Sequence, residues 1–66
     1  MASNERLKYF RLKKGLTQTQ MAKKIGKSRG WIAMLEYRKE NMSLKNAFIL
    51  ADFFKISLDL LLRGKK

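Results

Sequence analysis

Leu16-Thr17-Gln18-Thr19-Gln20-Met21-Ala22-Lys23-Lys24-Ile25-Gly26-Lys27-Ser28-Arg29-Gly30-Trp31-Ile32-Ala33-Met34-Leu35-Glu36 reads as two short helices joined by a tight turn at Gly26. Thr17 and Gln20 have the capping-box spacing: the threonine hydroxyl accepts from the Gln20 amide while the Gln20 side chain reaches back to the Thr17 amide. Met21, Ala22 and Ile25 then point inward, and the small Ala22 lets a neighbouring helix approach closely at the corner. Gly26 supplies the stop, and Ser28 caps the helix that follows. In that second helix Ile32, Leu35 and Glu36 share the inward face. Arg29, Gly30, Ala33, Met34 and Tyr37 fall opposite by the 3.6-residue period.

Working outward, proline is absent from the chain, so caps and periodicity must mark every helix boundary. Ser3 or Asn4 is a suitable N-cap for a first helix in which Leu7, Phe10 and Lys14 recur along one stripe with Arg11 beside them, and Gly15 ends it. Beyond the polar loop Lys39-Glu40-Asn41, Ser43 caps a fourth helix to about Phe54. Leu44, Ala47, Phe48, Leu50, Ala51 and Phe54 are expected to form its broad buried side. Ser57 caps a short fifth helix, Leu58 to Leu62, with Asp59 near its positive end. Residues 63–66 read as a frayed basic tail. The expected fold is all-α, with five short helices in a single domain over residues 1–66 and the two-helix corner over about 17–37.

The 66 residues carry 16 Lys and Arg against 5 Asp and Glu, a formal charge of +11, with neither cysteine nor histidine. Disulfides, thiolate metal sites and histidine-based catalysis are therefore excluded. The five acids, Glu5, Glu36, Glu40, Asp52 and Asp59, place no pair on one helical face for acid-base work. No catalytic residue, metal or cofactor is expected, and no small-molecule ligand. A field of this sign draws polyanions, making nucleic acid the first partner to consider. The chain has neither a membrane-length apolar run nor the layout of a secretory signal, so a cytoplasmic protein is expected. A cationic membrane-surface protein is disfavoured because the periodicity turns the apolar faces toward one another.

Leu16-Thr17-Gln18, Met21-Ala22, Ile25-Gly26, Ser28, Ile32, Leu35-Glu36, Leu44, Leu50-Ala51, Phe54 and Ser57-Leu58-Asp59-Leu60-Leu61 together resemble the lambda-type repressor and Cro (XRE-type) helix-turn-helix family over essentially the whole chain. The resemblance implies a DNA-binding transcriptional regulator, working as a homodimer on a two-fold symmetric operator and more often repressing than activating. It implies base contacts from Ser28, Arg29, Gly30 and Met34. The Arg29 guanidinium can hold guanine O6 and N7, or instead a phosphate, and Met34 can pack on a thymine methyl. It also implies backbone contacts from Thr17, Gln18, Lys27, Arg38, Lys39 and Asn41, with Gln18 binding a phosphate and buttressing the recognition helix. Trp31 either lies along the DNA backbone or packs back on the second helix. Arg11 and Glu36 match a family pair that forms a buried salt bridge, so Glu36→Ala should destabilise the fold far more than Glu40→Ala.

The chain departs from the family pattern in several places. Arg38 and Lys55 stand where glycine is usual past a helix end, and a left-handed residue with a Cβ costs about 1–2 kcal/mol. Met42 replaces a usual proline, which predicts a looser loop. Gly30 weakens the recognition helix by about 0.5–1 kcal/mol relative to alanine. Ile49, Phe53 and Leu60 are apolar where the family is more polar, predicting an exposed patch for a homodimer through the fourth and fifth helices. The competing function is a protein-interaction regulator of antitoxin or developmental type whose apolar patch binds another protein.

Overall fold

A computed structural model describes residues 3–38 and 42–64, which form five helices: α1 (Ser3–Lys13), α2 (Gln18–Ile25), α3 (Arg29–Tyr37), α4 (Leu44–Phe54) and α5 (Leu58–Arg63). No strand occurs among the described residues. Local chemistry sets most of these boundaries. The Thr17 hydroxyl accepts from the Gln20 amide at 3.1 Å and the Gln20 carboxamide oxygen accepts from the Thr17 amide at 2.9 Å, completing the capping box. Ser28, Ser43 and Ser57 accept from the amides of Trp31, Asn46 and Leu60. Each such cap stabilises its helix by about 0.5–2 kcal/mol. At the corner Gly26 is left-handed, φ 81°, and the amides of Gly26 and Lys27 both donate to the Ala22 carbonyl at 2.9 Å.

That corner packs α2 against α3, α1 spans α3 and α5, and α4 rests on α5. Leu7, Met21, Ile32, Leu35, Leu50 and Leu61 are fully buried where the five helices converge, with Ala22, Ala47, Ala51, Met42 and Phe54 completing the core. Phe10 of α1 meets Phe54 of α4 at 5.7 Å between ring centroids, and Phe54 in turn meets Phe53 at 5.3 Å.

Several sequence expectations are corrected. Asn4 is not a cap: it lies within α1, 7% exposed, and its Nδ2 donates to the Glu36 carbonyl at 3.3 Å. Ser3 is likewise inside the helix, while Lys14 lies past its end and is exposed. Exposure on α4 and α5 also departs from the expectation. Leu44 and Phe48, expected inside, are 58% and 56% exposed. Ile49, Phe53 and Leu60, expected outside, are all half-buried. Phe53 packs against the core, with the Lys14 ammonium 5.4 Å above its ring. The physical reason is that Ala47, Leu50, Ala51 and Phe54 already fill the arc of α4 that α5 and α1 can cover.

The chain turns also differ from one another. Arg38 is extended, φ −66°, so the left-handed penalty does not arise there, whereas Lys55 is left-handed at φ 57° and carries it. Met42 joins the core at 8% exposure and anchors the start of the α4 segment, while the loop before it, residues 39–41, lies outside the described residues. At the other end, Arg63 belongs to α5 rather than to a frayed tail. It forms an ion pair with Asp59 at 2.8 Å, and Gly64 closes the helix at φ 71°. Lys65 and Lys66 lie outside the described residues.

Candidate nucleic-acid interface

The exposed face of α3 is held by a network beneath it. Arg11 of α1, 7% exposed, donates through Nε to Glu36 Oε2 at 2.6 Å and through Nη2 to Oε1 at 3.1 Å. Its Nη1 donates to the Leu16 carbonyl at 2.8 Å, which ties the start of the α2 segment to the same cation. Gln18 of α2 donates through Nε2 to Glu36 Oε1 at 3.1 Å. One carboxylate on α3 therefore receives α1 and α2 together. The paired side chains are only 8% and 6% exposed, so solvent barely screens them. Asn4 adds a fourth tie at the C-terminal end of α3 through the Glu36 carbonyl.

Above this network lies an open groove of about 660 Å³ lined by Lys8, Gln18, Arg29, Gly30, Ala33, Met34, Glu36 and Tyr37. The structure thus brings Gln18, Arg29, Gly30 and Met34 to one surface. Arg29 and Gly30 are exposed at the N-terminal end of α3, and Met34, 41% exposed, follows one turn later. Ser28 is exposed beside them, and its Oγ accepts the Trp31 amide at 3.1 Å while its hydroxyl hydrogen stays available to donate. Thr17 is exposed at the head of α2. Trp31 is half-buried and packs against the core, and the Lys27 ammonium sits 5.3 Å from its ring centroid in a cation-π contact. Arg38 is exposed at the far end, its amide closing α3 on the Met34 carbonyl at 3.1 Å. Lys39 and Asn41, also expected at the backbone, lie outside the described residues, as does Glu40.

Three groove residues escaped the site reading of the sequence. Lys8 is on α1, and its place was available from spacing: Asn4, Lys8 and Arg11 are four and three residues apart, so a helix that turns Asn4 and Arg11 toward α3 brings Lys8 to the same side. Ala33 and Tyr37 fall on the outward face by periodicity, and Tyr37 is 88% exposed. A fourth missed residue, Arg6, lies away from the groove at 7% exposure. Its guanidinium donates to the carbonyls of Leu61 and Leu62 at the end of α5. No feature of α1 alone signals that role, because the acceptors are backbone atoms more than fifty residues away.

Among the described residues no three His, Cys, Asp or Glu side chains gather where a metal could be held. Nor is any described helix long and apolar enough to cross a membrane. What the surface presents is cation around an apolar strip, in a chain of formal charge +11.

The sequence is similar to known proteins on the same terms. A helix-turn-helix family model matches residues 7–61, from the first buried leucine of α1 to the buried leucine of α5. An uncharacterised HTH-type transcriptional regulator of Methanocaldococcus jannaschii is 44% identical over 54 residues, covering 82% of each chain. An uncharacterised HTH-type transcriptional regulator of Archaeoglobus fulgidus is 41% identical over 54 residues, covering 82% of this chain and 77% of its own. A second from that organism is 41% identical over 54 residues, covering 82% and 76%.

Proposed function

This chain belongs to the Cro/C1-type (XRE) helix-turn-helix family of DNA-binding transcriptional regulators, and from that premise we propose that it is a cytoplasmic repressor, without enzymatic activity, that occupies a palindromic operator as a homodimer. The single observation that carries the reading is the exposure of Arg29, Gly30 and Met34 in one groove, on a helix tied down at the floor of that groove by the Arg11–Glu36–Gln18 network. A helix held rigidly at its base can enter the major groove without rearranging, which limits the entropy lost on binding. In this reading Arg29 makes two hydrogen bonds to a guanine edge, while Ser28, Gly30 and Met34 line the remaining base edges. Thr17, Gln18, Lys27, Trp31, Arg38, Lys39 and Asn41 follow the backbone, joined by Lys8. The residues of 1–66 act as one domain, and the second copy docks on the outer surface of α4 and α5 around Ile49, Phe53 and Leu60.

Selection of duplexes from a random pool at two salt concentrations tests this directly. A two-fold symmetric sequence should be enriched, and log K should fall with log salt by about 0.9 per phosphate neutralised. Retention of DNA without any enriched sequence would reduce the surface to a charge contact. Sedimentation at tens of micromolar without DNA should show a dimer, and a monomer mass would remove that part of the proposal.

A second reading is favoured by Leu44 and Phe48, which are one turn apart on α4 and more than half exposed. They would make the chain a regulator that docks on a different protein. Co-purification of one stoichiometric partner, lost with Phe48→Lys, separates it from the operator reading.

A further inference from the structure

We propose that the middle of α3 reads the C5-methyl groups of pyrimidines, adding to the guanine contact of Arg29, so that a methyl-bearing base is preferred opposite the middle of the helix; this rests on the operator reading above. Base edges in the major groove offer hydrogen-bond donors and acceptors, and thymine offers a methyl group as well. A helix that reads by hydrogen bonds needs polar side chains along its outward face. Between Arg29 and Tyr37 the one polar side chain that α3 gives the groove is Glu36, and the rest of the strip is Gly30, Ala33 and Met34. The polar groups on the groove floor are already engaged, since both Glu36 oxygens accept from Arg11 and Oε1 also accepts from Gln18. An apolar strip pressed on a bare hydrogen-bonding edge desolvates that edge without replacing its partners, whereas against a methyl group it buries apolar surface on both sides.

Gly30 gives an independent indication. A Cβ built there would meet nothing closer than Ser28 Oγ, at 3.9 Å, and the backbone is not left-handed. Nothing inside the protein requires glycine at this point in a helix, a placement that weakens the helix. The space stays open on the side facing out of the groove. Lys8 and Arg29 line the groove with the strip, so the surroundings suit a polyanion that carries methyl groups. Thymine and 5-methylcytosine share that chemistry, because both place a methyl at C5 on the major-groove side.

The test uses the full chain and the duplex selected from the random pool. Each thymine is replaced singly by uracil, and cytosine and 5-methylcytosine are placed in turn at the same positions. At one or two positions in each half-site, uracil should weaken binding about fourfold, the value of one buried methyl. Methylation of a cytosine there should recover affinity that unmethylated cytosine lacks. Met34→Gln, at a 41% exposed position, should keep the helical circular dichroism spectrum and bind the thymine and uracil duplexes equally. Unchanged affinity for uracil at every position would overturn the inference while leaving the operator reading intact, and so would a selected site without a pyrimidine facing the strip. Failure to retain any duplex at low salt would overturn both. Poly-glutamate shifting the α3 resonances in such a sample would make the groove a site for acidic peptides instead.

Discussion

Glu36→Ala should cost more stability than any other single loss of charge in the described structure. The carboxylate accepts three hydrogen bonds, two from Arg11 and one from Gln18, and both members of the ion pair are more than nine-tenths covered. Truncation leaves the Arg11 guanidinium in a site it entered only because an anion was there, with the Leu16 carbonyl still accepting from Nη1. Stranding a buried charge costs about 3–5 kcal/mol. A 66-residue domain has a total stability of about 3–10 kcal/mol at 0.05–0.15 kcal/mol per residue. The variant should therefore be close to unfolding at room temperature, or melt at least about 12 °C lower at 4 °C or more per kcal/mol. Thermal and urea melts followed by circular dichroism measure this against Asp52→Ala, an exposed acid on α4, for which a surface change of about 0.5 kcal/mol or less is expected. Replacing both partners, Arg11→Met with Glu36→Leu, should cost less than Glu36→Ala alone, because the charge and its counter-charge leave together. Melting points for Glu36→Ala and Asp52→Ala within about 3 °C of each other would refute the reasoning.

Other consequences follow from single contacts. Gly30→Ala should raise the melting temperature by about 2–8 °C, the effect of 0.5–1 kcal/mol in a domain of this size, and weaken binding to the selected duplex; a lower melting temperature would mean that the fold itself needs the glycine. Arg29→Ala should weaken binding to the selected sequence about 5- to 150-fold, with a much smaller effect on random duplex, and equal losses on both would assign it to a phosphate. Arg6→Ala should lower stability by about 1.5–3 kcal/mol through loss of its charged hydrogen bonds to the end of α5. In that variant limited proteolysis should cut first within α5, and a cut pattern unchanged from the parent would show that the clamp does not hold that helix.

The sequence by itself determined the five helices and the ends that local caps set, because caps and left-handed glycines act over three or four residues: Thr17 with Gln20, Ser28, Ser43, Ser57, Gly15 and Gly26 all perform locally the roles their spacing implies. It also determined the outward face of α3, since periodicity divides a helix that is buried on one side. Only the tertiary structure decided that Phe53 packs on the core while Leu44 and Phe48 stay exposed, because spacing alone does not rank the apolar residues of α4. The same holds for Arg6 and Asn4, whose partners are backbone carbonyls on α5 and α3 that leave no mark in side-chain identity. Lys8 enters the groove because α1 lies across α3. Short-range hydrogen bonding is written along the chain, while burial and distant backbone acceptors come into being only when the helices pack.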